Sequence, residues 1–162
     1  MVGERIPNHN FLIIMRIEDE IKQEKFKSER QKVTINLLYT SNWLINKHKE
    51  FFSDYEITPQ QYNVLRILRG QHPKSISTSA IKDRMLDKNS DVSRIVDRLT
   101  NKELVSKAPC SKDRRLVDVL ISQKGLSLLK TMDKAVDGLD ANISLNEDEA
   151  KMLNQLLDKV RS

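Results

Sequence analysis

Arg94 and Arg98 stand one helical turn apart in a run that also offers Asn89, Ser90 and Ser93. These side chains suit a surface of ordered hydrogen-bond acceptors. A guanidinium can donate two parallel bonds to guanine O6 and N7, which discriminates against a wrong base by about 1–3 kcal/mol. Arg94 is the leading candidate for that contact. Ser77 and Lys88 lie just before the run and suit phosphate oxygens, which set register without specifying sequence. Asp91 and Asp97 can repel phosphates or orient the arginines, and Asp97 is expected to form a surface ion pair with Arg94 or Arg98.

Such a group needs a rigid frame, and residues 76–121 supply the pattern of one. Ser77 can cap a helix carrying Ile81, Met85 and Leu86, which runs out at Asp87 and Lys88. Asn89 and Ser90 are the next capping candidates. After them Val92, Ile95, Val96 and Leu99 fall at i, i+3, i+4 and i+7, one apolar face of a second helix. Its opposite face carries Asp91, Ser93, Arg94, Asp97, Arg98 and Lys102. Val105–Cys110 and Leu116–Ile121 are β-branched-rich runs around Ser111, Lys112, Asp113, Arg114 and Arg115, so a two-stranded hairpin with a basic tip is expected. Helix, turn, helix and hairpin in that order make a winged helix-turn-helix. Its second helix has the width to enter a major groove, and its wing can reach phosphates or the minor groove.

Here the chain resembles the MarR (multiple-antibiotic-resistance regulator) family of bacterial transcription factors. Thr58-Pro59-Gln60-Gln61-Tyr62-Asn63-Val64-Leu65 is similar to the family's helix-2 opening, and Val92–Leu99 to its recognition helix. Asp113-Arg114-Arg115 resembles the wing signature, Ile121-Ser122-Gln123-Lys124-Gly125 the start of helix 5, and Leu145–Glu149 the entry to the last helix. The resemblance covers roughly residues 30–160. It implies a salt bridge from Asp113 to Arg115 and entry of a tip arginine, Arg114 or Arg115, into a minor groove that is narrow in A/T-rich DNA. One departure is Glu103, where family members usually carry glycine. A left-handed residue there would cost glutamate about 1 kcal/mol, so the turn is expected to take another form and change the wing's entry angle.

The fold class expected is mainly α with a small β-hairpin wing (α+β). Residues 58–121 form the winged helix-turn-helix, residues 31–57 and 122–162 a helical dimerisation lobe, and residues 1–30 an extension with the start of the first helix. Charge follows that division. Residues 58–125 carry 14 Lys and Arg against 7 Asp and Glu, whereas the remainder carries 14 against 16. The excess positive charge coincides with the helix-turn-helix, as a footprint for double-stranded DNA should. With 162 residues, 38% hydrophobic and 31% charged, the chain suits one helix-rich protomer with a large solvated surface.

A single cysteine excludes an intramolecular disulfide, and no run is long and apolar enough to span a membrane, so the cytoplasm is the expected setting. His9, His48 and His72 lack metal-ligand spacing, so neither a metal site nor a cofactor is expected. No paired carboxylates, nucleophile with base or phosphate-binding glycine loop stands at usable spacing, which argues against an enzyme.

Residues 1–14 do not resemble the family's start, and Met15 would itself make a plausible initiator; the Phe11–Ile14 cluster, if ordered, should pack on another surface. Residues 16–32 are densely charged and read as a weakly anchored helix. From Val33 to Phe52 the apolar groups cover a wide arc, as for a helix with two partners. The same arc holds Tyr39, Asn42, Trp43 and His48. The resemblance implies an effector pocket there, with Tyr62 beside it, and plain packing is the alternative. Ser122 opens a long helix bearing Leu126, Leu129, Met132, Val136, Leu139 and Ile143, and Asn146 caps a last one with Met152, Leu153, Leu156, Leu157 and Val160. Periodicity allows these to form a dimer lobe or a third layer of a monomeric core.

The expected function is a homodimeric, sequence-specific regulator on a pseudo-palindromic operator, its recognition helices roughly 34 Å apart. The resemblance favours repression, relieved by a small molecule or other signal. A winged-helix module for an acidic protein is the alternative. So is redox sensing through Cys110, whose thiol neighbours Lys112 and two arginines; redox-sensing family members carry their cysteine in the N-terminal helix, where this chain has none.

Overall fold

The computed structural model describes residues 15–109, 117–140 and 143–162. In chain order the elements are α1 (Ile17–Glu20), α2 (Glu29–Ser53), α3 (Pro59–Arg69), β1 (Ile76–Ser77), α4 (Thr78–Arg84), α5 (Val92–Asn101), β2 (Val105–Pro109), β3 (Val117–Ile121), α6 (Gln123–Asp140) and α7 (Glu147–Val160). The result is a mostly helical chain with one small antiparallel sheet. The chain divides into two compact units, one ending at Lys47 and the other running from His48. The extension's Phe11–Ile14 cluster, Cys110, the wing tip with Lys112, Asp113, Arg114 and Arg115, and Leu116 all lie outside the described residues.

In the first unit, the single helix expected over residues 16–32 is interrupted. α1 is one turn long, Lys22 takes a left-handed φ of 54°, and α2 starts only at Glu29. What anchors α1 is buried Ile17 together with Glu18, whose carboxylate accepts from Lys32 Nζ at 2.6 Å and from Arg16 at 2.9 Å. The Lys32 bond, then a backbone hydrogen bond, then Arg16 hold that carboxyl at about 2, below the usual carboxylate range. A depressed folded-state value means the contact contributes in full above the unfolded value and is lost as pH falls toward 2. The stability difference between wild type and Glu18→Gln should therefore be constant above about pH 5 and close progressively in acid. Chemical denaturation at several pH values would read this, and a difference independent of pH would contradict the assignment.

The second unit is built on the core Phe52, Ile57, Val64, Leu65, Leu68, Ile81, Met85, Val92, Val96, Leu99, Leu104, Val105, Val119, Ile121, Leu129 and Met132. α3 starts where the sequence says it must. The Thr58 hydroxyl accepts from the Gln61 amide at 3.2 Å, Gln61 Oε1 accepts from the Thr58 amide at 3.0 Å, and Pro59 occupies the first helical position. α3 then buries Val64, Leu65 and Leu68, while α5 buries Val92, Val96 and Leu99, each side chain contributing about 1.5–3 kcal/mol on full burial. Arg69 donates to both oxygens of Asp133, at 2.8 and 3.1 Å, and so links α3 to α6.

Three details differ from the sequence reading. The sheet has three strands in the order β1-β3-β2, because Ile76 and Ser77 pair with Val119 and Asp118; two residues show no periodicity by which β1 could be seen. α4 stops at Arg84, since Met85 turns extended at φ −65°, ψ 140°, and Leu86 is 89% exposed instead of continuing the apolar face. α6 ends at Asp140, which leaves Ile143 outside the helix it was expected to extend. Asn146 caps α7 as expected, in a reciprocal box with Glu149.

The largest difference is at Glu103, which does adopt the left-handed conformation, at φ 60°. Its amide bonds to Thr100 O at 2.9 Å, and the Leu104 amide to Leu99 O at 3.0 Å, the two bonds of a Schellman ending. Leu99 and Leu104 are both in the core, so burial on either side of the turn forces Glu103 into a region it disfavours. Lys124 Nζ pairs with its carboxylate at 3.0 Å, but both side chains are well exposed and the compensation is small. Glu103→Gly should raise unfolding stability by roughly 0.5 kcal/mol, after allowing for glycine's larger unfolded-state entropy. A fall in the denaturation midpoint would show that the Lys124 pair outweighs the strain.

Candidate nucleic-acid interface

The turn between α4 and α5 is shaped by hydrogen bonds rather than by apolar contact. Asn63 on α3 accepts the Leu86 amide on Oδ1 at 3.0 Å, and so ties the chain leaving α4 to α3. Asp87 then takes two neighbours. Its Oδ1 accepts from the Asn89 amide at 2.9 Å and its Oδ2 from the Ser90 hydroxyl at 3.1 Å. Asn89 and Ser90 are thereby part of the turn, and neither caps α5. Asp91 does, accepting the Arg94 amide on Oδ1 at 3.1 Å. Lys88 Nζ donates to the backbone carbonyl Asp83 O at 2.6 Å.

This arrangement brings the start of α4 and the start of α5 around one open hollow of about 440 Å³. Thr78, Ser79, Lys82, Asn89, Ser90, Asp91, Val92 and Ser93 line it. Hydroxyls, an amide and the Lys82 ammonium group offer donors to a phosphate there, while the Asp91 carboxylate, which already accepts the Arg94 amide, opposes one. Ser77 stands back from it: its hydroxyl accepts the Ala80 amide at 3.2 Å and meets Ser79 Oγ at 2.9 Å, so it is committed as the α4 cap. Thr78, Ser79 and Lys82 are the hollow's additional polar groups, and the sequence reading passed over all three. Their signal was the helical spacing from Ser77, which places 79 and 82 on the face opposite Ile81.

From the exposed face of α5 project Arg94 and Arg98, backed by buried Val92, Val96 and Leu99. Arg94 Nε lies 3.3 Å from Asp91 Oδ2, in a contact with both side chains solvated. The pairing expected of Asp97 with the arginines is not formed. Asp97 Oδ1 instead accepts from Lys107 Nζ on β2 at 2.6 Å, a partner ten residues away that the reversal of the chain at Glu103 brings within reach.

The base of the wing is held more tightly. The Ser122 amide bonds to Leu104 O at 3.0 Å; its hydroxyl donates to Glu103 O at 2.7 Å and accepts the Gly125 amide at 3.0 Å. Gly125 passes so close to β2 that a Cβ built on it would lie 2.3 Å from Leu104 O.

The proposed effector residues have these surroundings. The Tyr39 hydroxyl donates to the Glu20 carboxylate, which raises the phenol's pKa; Asn42 is exposed and Trp43 is 45% exposed on α2. Tyr62, on α3, is half-buried, with its ring 4.5 Å from that of Phe52 and its hydroxyl accepting from Arg66 at 2.9 Å.

Comparison with known proteins places this geometry. The model of the MarR family matches residues 57–117. The transcriptional regulator MhqR of Bacillus subtilis (strain 168) is 30% identical over 140 residues, 83% of this chain and 91% of that protein. A MarR transcription factor from Planctomyces limnophilus is 32% identical, with a TM-score of 0.65 over 85% of this chain and 98% of that one. A mutant MarR from E.coli, complexed with operator DNA, shares the fold with a TM-score of 0.73 at 24% identity, covering 85% and 99% of the two chains.

Proposed function

Since this chain belongs to the MarR family of transcriptional regulators, we propose that it acts as a homodimeric repressor on a pseudo-palindromic operator. The observation that carries the DNA part is the exposed face of α5: Arg94, Arg98 and Ser93 stand clear of the core that fixes the helix, beside a polar hollow suited to a phosphate. We assign Arg94 and Arg98 to base edges, with Ser93, Asn89 and Ser90 beside them. Lys88, Ser79 and Lys82 go to phosphates, and Lys112, Arg114 and Arg115, with Asp113 orienting Arg115, to the minor groove.

Support for the dimer comes from apolar surface. α7 buries none of its residues and exposes Met152, Leu153, Leu156 and Val160, while α2 exposes Val33, Leu38, Trp43 and Ile45. Apolar side chains left in water along α2 and α7 are costly unless covered, and a second copy offers the same surface in return. Residues 31–57 and 122–162 are accordingly assigned to the dimer lobe. Release by a small molecule requires that molecule to favour a state with a different helix separation.

Selection of bound duplexes from a random library, followed by footprinting, tests the reading. Two inverted half-sites with centres about one helical turn apart are expected. A single asymmetric site, or no enriched sequence, would contradict it; the latter outcome would favour the basic face serving an acidic protein.

A further inference from the structure

Past Val105, every residue of β2 is exposed, so the outer part of this strand is held to the core only through its backbone ladder with β3, where Lys107 faces Val119. Between it and α5 lies a gap of about 170 Å³ bordered by Thr78, Ser93, Val96 and Val117. The Asp97–Lys107 contact, at 2.6 Å, spans that gap. It joins the exposed face of the recognition helix to the strand that leads to the wing tip. It also ties up a cation on the DNA side of the molecule, since Lys107 is only 37% exposed and its ammonium faces a carboxylate.

We propose that Asp97 and Lys107 are positioning residues that lock the wing to the recognition helix, and that Lys107 contributes no phosphate contact while so paired. This rests on the reading of α5 as the DNA-reading helix. The lock favours specificity over affinity. A free lysine would add attraction to any duplex, whereas a paired one fixes the distance between the major-groove and minor-groove contacts and so rewards only DNA that fits both.

The charge consequence separates this role from a merely structural one. Each phosphate neutralised by a lysine steepens the dependence of log affinity on log salt by about 0.9. Asp97→Asn leaves the fold intact at a solvated position and frees Lys107. It should bind a random duplex more tightly, with a slope steeper by about 0.9, while the ratio of selected to random affinity falls roughly tenfold. Lys107→Met should lower that ratio as well, but with the wild-type slope. Asp97→Glu, which keeps the pair, should restore both quantities.

In the free protein, exchange of the Lys107 and Val119 amides should accelerate severalfold in Asp97→Asn and Lys107→Met, while those of Leu65 and Leu68 keep their protection. This arm needs no DNA, so it separates failure of the lock from failure of the DNA-binding reading. An unchanged wing exchange rate would overturn the lock. An unchanged slope and ratio in Asp97→Asn, with wild type binding its selected site, would overturn its role in specificity.

Discussion

Arg94→Ala is expected to lower affinity for the selected operator by roughly 5- to 150-fold, the range for one bidentate arginine–guanine contact, and to do so almost without changing protein stability. The second half of that expectation follows from how the helix start is built. Asp91 uses Oδ1 to cap the amide of residue 94 and Oδ2 to meet the Arg94 side chain. Alanine removes only the second contact, which lies in solvent and is worth about 0–0.5 kcal/mol, and alanine is itself a strong helix former. Affinity for random DNA should fall by a smaller factor, because that binding comes from phosphates that Lys82 and Lys88 can still approach. Gel-shift titration against the selected and random duplexes, with thermal melting alongside, checks all three statements. A loss on both duplexes in equal measure would move Arg94 from base edge to backbone.

Gly125→Ala is expected to have the largest effect on folding. A methyl group there would lie 2.3 Å from Leu104 O, a main-chain atom that cannot swing aside, and 2.9 Å from Cγ1 of Ile121, a β-branched side chain buried in the core. Leu104 O is also the acceptor for the Ser122 amide, so moving it breaks that bond and disturbs the start of α6. The penalty should reach about 3 kcal/mol, near the upper end for overpacking in a well-filled site. Because the contact joins the base of the wing to α6, any folded fraction should also lose operator selectivity. Denaturant unfolding reads the first effect. A shift below about 1 kcal/mol would mean that the two elements separate more easily than this packing implies.

Gly125 also shows what could be read from the chain alone. Its place in Ser122-Gln123-Lys124-Gly125 gave the resemblance, but the reason for glycine is a carbonyl twenty-one residues earlier, and nothing local marks that approach. The same division holds elsewhere. Thr58-Pro59 and Asn146 mark two helix starts locally, because the groups that complete each cap, Gln61 and Glu149, lie within four residues. The apolar spacing of Val92, Val96 and Leu99 identified the face of α5 that is buried and, by subtraction, the face that carries the arginines.

Local competition explains the misplaced cap. Asn89 and Ser90 have suitable side chains, but Asp87 engages both before they can reach the helix, and Asp91 takes the role. Long-range contact explains the others. Lys107 as the partner of Asp97, Asn63 as the acceptor for Leu86, and Ile76 as a third-strand residue each depend on a chain return that local periodicity does not encode. Glu103 is of a third kind. The local preference was read correctly, and burial of Leu99 and Leu104 around it overrode that preference.

The central claim is that α5 reads sequence through its exposed arginines. Its most direct test is the ratio of affinities for the selected operator and a random duplex of equal length, measured for wild type and Arg94→Ala at two salt concentrations. The wild-type ratio should be about 10³ or more and persist as both affinities weaken with salt, and in Arg94→Ala it should fall with little change in salt slope. A wild-type ratio near one at both salt concentrations, or a ratio that Arg94→Ala leaves untouched, would contradict it.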